Sequence, residues 1–152
     1  MNGEALIILL VEDNEDHAEI VMRSFKPPKT SHLIHHVTDG ETALDYLLRR
    51  GQYSDPHKSP RPHLVLLDLR LPKVDGLEVL KEIKQTEELR RIPVVVLTSS
   101  QAGSDVDMAY DYHANSYMVK PLEFKKLTEL MRELESYWLD WNVNPSAGDG
   151  SG

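Results

Sequence analysis

The amino-acid sequence predicts an α/β fold, a doubly wound parallel sheet of five strands in the order 2-1-3-4-5. Three observations support this: short apolar runs recur along the chain, segments of helical periodicity separate them, and the two alternate strictly. Such alternation with short connections requires right-handed crossovers, which place helices on both faces of the sheet. Five strands in 152 residues favour the flavodoxin-like winding, (βα)5.

Three of the predicted strands are continuous apolar runs. They cover residues 6–11, 64–67 and 93–97. Runs this short, rich in β-branched side chains and apolar on both faces, are typical of parallel strands buried between helix layers. Two weaker segments, residues 33–37 and 116–119, complete the five predicted strands.

Each predicted strand is followed by a segment whose apolar residues recur at helical spacing. These segments cover residues 15–25, 41–48, 76–84, 104–112 and 123–141. Ser104 is the expected N-cap of the fourth helix. The longest connection, residues 51–63, contains three prolines and is predicted to be a surface loop.

The pattern indicates one domain over residues 5–141, followed by a flexible C-terminal tail over residues 142–152. Only 11 residues follow Trp141, so the output of the protein is expected to be contact with another protein. No apolar stretch approaches the ~20 residues of a membrane helix. The N-terminus lacks the basic start and apolar stretch of a secretion signal, so a cytoplasmic protein is expected.

Composition excludes several further classes of function. The formal net charge of −8 opposes binding to nucleic acid, which is a polyanion. The absence of cysteine excludes disulfides, thiolate metal sites and cysteine nucleophiles. No two histidines form the His-Glu-x-x-His pattern of a helical zinc site.

Polar side chains follow four of the predicted strands. Glu12 and Asp13 follow the first, Asp68 the third, Thr98 the fourth and Lys120 the fifth. In an open parallel sheet the carboxyl ends of the strands meet at one edge, where ligands bind. Clustered carboxylates repel one another, and hard oxygen ligands suit Mg²⁺, with Mn²⁺ as the alternative ion. The pattern therefore indicates a metal-assisted phosphoryl site in which one carboxylate becomes an aspartyl phosphate.

Four motifs resemble the receiver domain of two-component response regulators. They are LLVEDN at 9–14, LLDLRLP at 66–72 with DG at 75–76, VVVLT at 94–98 and YMVKP at 117–121. The resemblance covers residues 6–141 and implies a stand-alone receiver that a sensor histidine kinase phosphorylates.

The resemblance also implies roles for the site residues. Asp68 would be the phosphoacceptor, and Asp13 with Asp68 would bind Mg²⁺. The backbone carbonyl of Arg70 would complete the protein ligands, and Glu12 would act through water. Arg70 stands where many receivers carry Asn or Met, so the lifetime of the phosphoryl group is expected to depend on it. Lys120 would pair with the phosphoryl group.

A switch is implied in the same way. On phosphorylation the Thr98 hydroxyl would move to a phosphoryl oxygen, and the Tyr117 ring would turn inward. The peptide bond between Lys120 and Pro121 would be cis. The switch would remodel the face formed by helix 4, strand 5 and helix 5.

The last helix and several short segments predict partners. The apolar stripe of the last helix ends in aromatic residues at 137–141, which are expected to extend beyond the sheet, and a homodimer is predicted through the helix 4–strand 5–helix 5 face. The segments at 51–53, 60–62, 91–93 and 114–117 resemble small response regulators paired with phytochromes. A phytochrome kinase is therefore implied, and the downstream protein is unknown.

Other classes fit the sequence less well. An Asp-nucleophile phosphatase needs a second Asp where Arg70 stands, and a flavodoxin would not place acidic residues in its phosphate loop. A dinucleotide fold lacks its glycine motif, and an EF-hand would need glycine at Ala18. A degenerate receiver that acts as a phosphorylation-independent scaffold remains the alternative, although intact Asp68 and Lys120 argue against it.

Overall fold

Five parallel strands form the centre of the protein in the computed structural model, which describes residues 6–25 and 33–138. The strands are β1 (Ile7–Val11), β2 (Leu33–Val37), β3 (Leu64–Leu67), β4 (Val94–Thr98) and β5 (Ser116–Val119). Their order is β2-β1-β3-β4-β5, and every neighbouring pair is parallel. The predicted fold class and winding are therefore confirmed.

Five α-helices alternate with these strands. They are α1 (Glu15–Ser24), α2 (Gly40–Leu48), α3 (Gly76–Gln85), α4 (Gly103–Asp111) and α5 (Phe124–Ser136). The predicted bounds agree to within a few residues for the first four helices. The fifth ends at Ser136, and the rest of its predicted length beyond residue 138 lies outside the described residues. Residue 5 and the predicted tail, 142–152, lie outside them as well.

Two hydrophobic layers cover the two faces of the sheet. Leu9 and Val11 of β1 belong to the layer formed with α2, α3 and α4, whereas Ile8 and Leu10 belong to the layer formed with α1 and α5. Successive side chains of a strand point to opposite faces, so a strand covered on both sides is apolar throughout. This explains the continuous apolar runs in the sequence.

One local prediction is wrong, and another is incomplete. Ser104 does not cap α4, because the helix begins one residue earlier and its N-cap position is Ala102, which makes no side-chain capping bond. The connection 51–63 is not simply a surface loop, since it contains a 3₁₀ helix (Gly51–Tyr53) and a fully buried Ser59. The Ser59 hydroxyl donates to the Tyr53 carbonyl at 2.9 Å, which satisfies this buried polar group.

The aromatic end of the last helix divides between core and surface. Trp138 is only 7 % exposed and packs into the layer of α1 and α5, so the expectation that it extends beyond the sheet is wrong. Tyr137 is 52 % exposed, as an interface residue would be. Residues 139–141 lie outside the described residues. Within the part of the chain that the structure describes, no helix has both the length and the apolar character to cross a membrane.

Candidate functional site

The polar residues predicted at the strand ends meet in one cavity at the carboxyl edge of the sheet. The cavity has a volume of about 220 Å³ and opens to solvent beside β1, β3, β4 and β5. Its lining includes all five of the residues predicted there, namely Glu12, Asp13, Asp68, Thr98 and Lys120. The sheet order explains this, because β1, β3 and β4 are adjacent and β5 follows β4.

A buried lysine stands at the centre of the site. The Nζ atom of Lys120 lies 2.5 Å from Glu12 Oε1, 2.9 Å from Asp68 Oδ2 and 3.2 Å from His17 Nδ1. Lys120 is only 7 % exposed. Its ammonium group has three N–H donors, and these three acceptors match them in number. The charges of the two carboxylates outweigh the burial of the ammonium group and raise the pKa of Lys120. The lysine is therefore a fixed positive charge next to Asp68.

The Asp68 carboxylate is held at both oxygens. Oδ1 accepts a hydrogen bond from the Thr98 hydroxyl at 2.8 Å and one from the backbone N–H of Arg70 at 3.2 Å, while Oδ2 faces Lys120. Burial by itself would raise the pKa of Asp68, but the Lys120 ammonium and the Thr98 hydroxyl together hold it below its usual value. Asp68 is thus an ionised carboxylate that faces an open cavity.

Glu12 differs from Asp68 in its protonation. Burial raises the pKa of Glu12 to about 7, against the opposing effect of Lys120. Its Oε2 atom accepts a hydrogen bond from the Asn14 N–H at 3.1 Å. Two buried carboxylates therefore share one ammonium group, which leaves the site with excess negative charge when both are ionised.

Three carboxylates form a donor set that fits a divalent cation. Glu12, Asp13 and Asp68 each offer one oxygen, and these oxygens all lie within 4.8 Å of one another. Asp13 is exposed, and its carboxylate has no hydrogen-bond partner among residues 6–25 and 33–138. Hard oxygen ligands at one open rim suit Mg²⁺ or Mn²⁺.

A tight connection between β3 and α3 fixes the backbone of Asp68. A Cβ atom at Gly76 would lie 2.3 Å from the Asp68 carbonyl oxygen and 2.5 Å from Leu69 Cα. The Gly76 N–H donates to the Leu69 carbonyl at 2.9 Å. Only glycine allows this approach, which accounts for the Asp-Gly pair at 75–76.

The predicted switch residues lie at two different places. Thr98 lies in the cavity, whereas Tyr117 is half-buried, packs against the layer of α2, α3 and α4, and donates from its hydroxyl to the Ser100 carbonyl at 2.9 Å. The peptide bond between Lys120 and Pro121 is trans, so the prediction of a cis bond is wrong. Trans is the intrinsically favoured isomer by about 0.5–1 kcal/mol, and Lys120 makes all its contacts from it.

Sequence reasoning missed two polar residues at or beside the site, His17 and Asp105. His17 faces Lys120 from α1, and burial together with the charge of Lys120 lowers its pKa. Asp105 on α4 and Ser100 bind the Arg70 side chain. The position of His17, one helical turn after Asp13, is a signal that could have indicated it. No comparable signal marks Asp105.

Comparison with protein families gives one family over most of the chain. The response regulator receiver domain model matches residues 8–132. A curated relative, the probable methanogenesis regulatory protein FilR2 of Methanothrix harundinacea, is 49 % identical over 142 residues, which are 93 % of this chain and 89 % of that protein.

Solved structures of two cyanobacterial proteins are similar over nearly their whole length. The phosphorylated cyanobacterial phytochrome response regulator RcpA has a TM-score of 0.90 and 38 % identity, covering 94 % of this chain and 100 % of RcpA. The Mn²⁺-bound form of response regulator Rcp1 has a TM-score of 0.87 and 42 % identity, covering 93 % of this chain and 99 % of the other. Rcp1 is a protein of Synechocystis.

Proposed function

The chain belongs to the response regulator receiver domain family, and we propose that it accepts a phosphoryl group from a sensor histidine kinase onto Asp68. The observation that carries the proposal is the Asp68 carboxylate itself, which is ionised, buried and bonded to Thr98 and Lys120, yet open to a cavity on one side. An acidic group so placed is a nucleophile with its charge partner already in position.

The transfer is a simple displacement. A carboxylate oxygen of Asp68 forms a bond to phosphorus, the phosphorus–nitrogen bond of the kinase phosphohistidine breaks, and the imidazole nitrogen keeps the electron pair. Thr98 and Lys120, which bond the carboxylate before transfer, are placed to donate to phosphoryl oxygens after it. Beyond this and the hydrolysis of its own acyl phosphate, the protein is a signalling protein rather than an enzyme.

A divalent cation completes the proposed site. Asp13 and Asp68 would hold Mg²⁺, or Mn²⁺ in its place, with Glu12 acting through water and the Arg70 carbonyl as a further ligand; the ion would neutralise charge on the phosphoryl group. The support is the group of three carboxylate oxygens within 4.8 Å of one another. The Mn²⁺-bound form of Rcp1, a similar protein, is consistent with this choice of ion.

The proposed output is a change at one surface. We define the α4–β5–α5 patch as the large apolar residues that are exposed on α4, β5, α5 and the loop before α5. They are Met108, Tyr110, Val119, Leu122, Phe124 and Tyr137. Among the described residues one other large apolar side chain, Leu33, is exposed. Such a concentration marks an interaction surface, and we propose that it binds a second copy of the chain and, in turn, a downstream protein.

The switch pair in this proposal is Thr98 and Tyr117. Thr98 ends β4 beside Asp68, and Tyr117 lies on β5, the strand that also carries Val119 of the patch. On phosphorylation, the Thr98 hydroxyl would move to bond a phosphoryl oxygen. This movement would free space into which the Tyr117 ring turns. The charge added by phosphorylation would thus shift the α4–β5–α5 patch between two conformations.

The source of the phosphoryl group is proposed to be a phytochrome kinase, in the cytoplasm. The similarity to RcpA, a phytochrome response regulator, supports this. FilR2, a probable methanogenesis regulatory protein, favours a second candidate, a kinase that reports on metabolism. Faster phosphotransfer from a purified phytochrome kinase than from unrelated histidine kinases would favour the first; equal transfer from all of them would remove its support.

The phosphoacceptor is tested by intact mass. We expect the wild-type protein to gain one phosphoryl group when it is incubated with phosphoramidate and Mg²⁺, and Asp68→Asn to gain none. Asp16→Asn, which removes an exposed carboxylate on α1, is the matched control and should react like the wild type. No gain in the wild type, or an equal gain in Asp68→Asn, would overturn the proposal and favour a phosphorylation-independent scaffold.

A further inference from the structure

Arg70 links the phosphoacceptor to α4. Its backbone N–H donates to Asp68 Oδ1 at 3.2 Å, while its guanidinium group forms an ion pair with Asp105 in the first turn of α4. The same guanidinium donates to Ser100 Oγ at 3.4 Å, and that hydroxyl donates to Asp105 Oδ2 at 2.5 Å. Arg70 therefore contacts Asp68 through its backbone and contacts α4, which carries part of the α4–β5–α5 patch, through its side chain.

The two members of the ion pair have unequal surroundings. The Asp105 side chain is 11 % exposed, whereas that of Arg70 is 61 % exposed. In the described part of the chain, neither Arg70 nor Asp105 forms an ion pair with any other residue. The arginine can therefore swing through solvent, whereas loss of the arginine would leave a nearly buried carboxylate without its cation.

A phosphoryl group on Asp68 would compete for the same guanidinium. It adds about two negative charges and three acceptor oxygens, and a guanidinium group prefers a dianionic, multidentate partner. Arg70 lines the cavity that such a group would enter. On the premise of the proposed function, we infer that Asp105 is a positioning residue that holds Arg70 on α4, and that phosphorylation draws Arg70 away and releases the start of α4.

Release of the start of α4 would affect the α4–β5–α5 patch by two routes. The Ser100 hydroxyl donates a hydrogen bond to Asp105. The Ser100 carbonyl oxygen accepts a hydrogen bond from the Tyr117 hydroxyl at 2.9 Å. Met108 and Tyr110 of the α4–β5–α5 patch lie on α4 itself. The ion pair thus acts in parallel with the Thr98–Tyr117 pair.

The test is the affinity for fluoroberyllate, a phosphoryl mimic that adds to a carboxylate oxygen, measured in excess Mg²⁺. Asp105→Asn should bind it about threefold to tenfold more tightly, because Arg70 no longer has to leave a charged partner. Arg70→Gln, which keeps the backbone carbonyl, should bind it more weakly than the wild type. In the Arg70→Gln background, Asp105→Asn should change the affinity by less than about a factor of two.

The double variant separates the inference from a plain charge effect. If Asp105→Asn tightens binding by the same factor with and without Arg70, removal of a nearby negative charge explains it, and the inference is wrong. If the wild type does not bind fluoroberyllate, or Asp68→Asn binds it equally, the proposed function fails and the inference fails with it.

Hydrogen exchange of α4 supplies a second readout. Amides of Gly103–Asp111 should exchange faster when fluoroberyllate binds the wild type, and should exchange fast in both states of Arg70→Gln. Arg50→Gln, which breaks an exposed ion pair with Asp45 at 3.2 Å, is the matched control and should alter neither affinity nor exchange. Unchanged α4 exchange in the wild type on binding would contradict the release of the helix.

Discussion

At the scale of single residues, the site depends on a balance between one ammonium group and two carboxylates. Lys120 is buried and has three acceptors, so its desolvation is offset by its partners. The two carboxylates respond differently: the pKa of Asp68 stays below its usual value, whereas that of Glu12 rises to about 7. Because the two neighbouring carboxylates are bonded differently, Asp68 stays ionised.

Removal of the lysine should therefore destabilise the protein. We expect Lys120→Met to lose about 3–5 kcal/mol of unfolding free energy at about pH 8 without divalent cations, because two buried carboxylates lose their shared cation. The loss should be smaller at about pH 5, where Glu12 is protonated. A carboxyl group with a raised folded-state pKa binds more protons folded than unfolded, so its contribution to stability falls as pH rises through that pKa. Urea denaturation at both pH values measures this.

Two further variants define the cause of that loss. Glu12→Gln added to Lys120→Met should recover part of the stability, because one uncompensated charge is removed. Lys126→Met changes an exposed lysine on α5 and should stay within about 0.5 kcal/mol of the wild type. An equal loss at both pH values would indicate that packing of the lysine stem, rather than charge, is responsible.

At the scale of elements, the connection from β3 to α3 decides where Asp68 lies. The loop returns so closely that α3 begins against the backbone of Asp68 and Leu69. Gly76 and Gly103 both occupy the first position of a helix, but only Gly76 has backbone atoms where a Cβ would be. The two glycines thus form a matched pair for testing this close approach.

We expect Gly76→Ala to lower the unfolding free energy by about 3 kcal/mol and to slow phosphorylation, because the new Cβ forces the Asp68 carbonyl to move. Gly103→Ala, whose added Cβ would meet nothing within 4 Å beyond its chain neighbours and its own helix, should be neutral or more stable by about 0.4–1 kcal/mol. Chemical denaturation and the phosphoramidate reaction measure the two effects. Equal stability of both variants would show that the connection yields to the added methyl group.

At the scale of the whole molecule, both helix layers end at the β5 edge of the sheet. Helices α1 and α5 cover one face, and α2, α3 and α4 cover the other, so the α4–β5–α5 patch lies at the β5 edge where the two layers end. Trp138 supports this edge from inside, and Tyr137 is exposed beside it. An apolar surface at the end of a sheet suits association of two copies.

The dimer is tested by light scattering at tens of micromolar, with and without fluoroberyllate. We expect the wild type to dimerise and Leu122→Asp to weaken the dimer at least about tenfold, because Leu122 is 99 % exposed and its burial stabilises only the associated form. Leu33→Asp, at the opposite edge on β2, is the control and should dimerise normally. A monomeric wild type in both states would rule out the proposed self-association.

The elements, their order and most of the site could be predicted from sequence pattern. Periodicity is a local signal, so the strands and helices were predictable to within a few residues. The winding follows from alternation and handedness, and it brings the strand ends together. Glu12, Asp13, Asp68, Thr98 and Lys120 were therefore predictable as a group from their position alone.

The pairing of side chains across that edge could not be predicted from the sequence. Lys120 and His17 are separated by 103 residues, and Arg70 and Asp105 by 35. Neither pair has a spacing that a local pattern could reveal. The close approach at Gly76 and the burial of Trp138 likewise depend on how packed layers meet. The pattern of apolar and polar residues shows which side of each element faces the core and which faces water. Contacts between side chains of distant segments depend instead on distances that are set only when the layers pack.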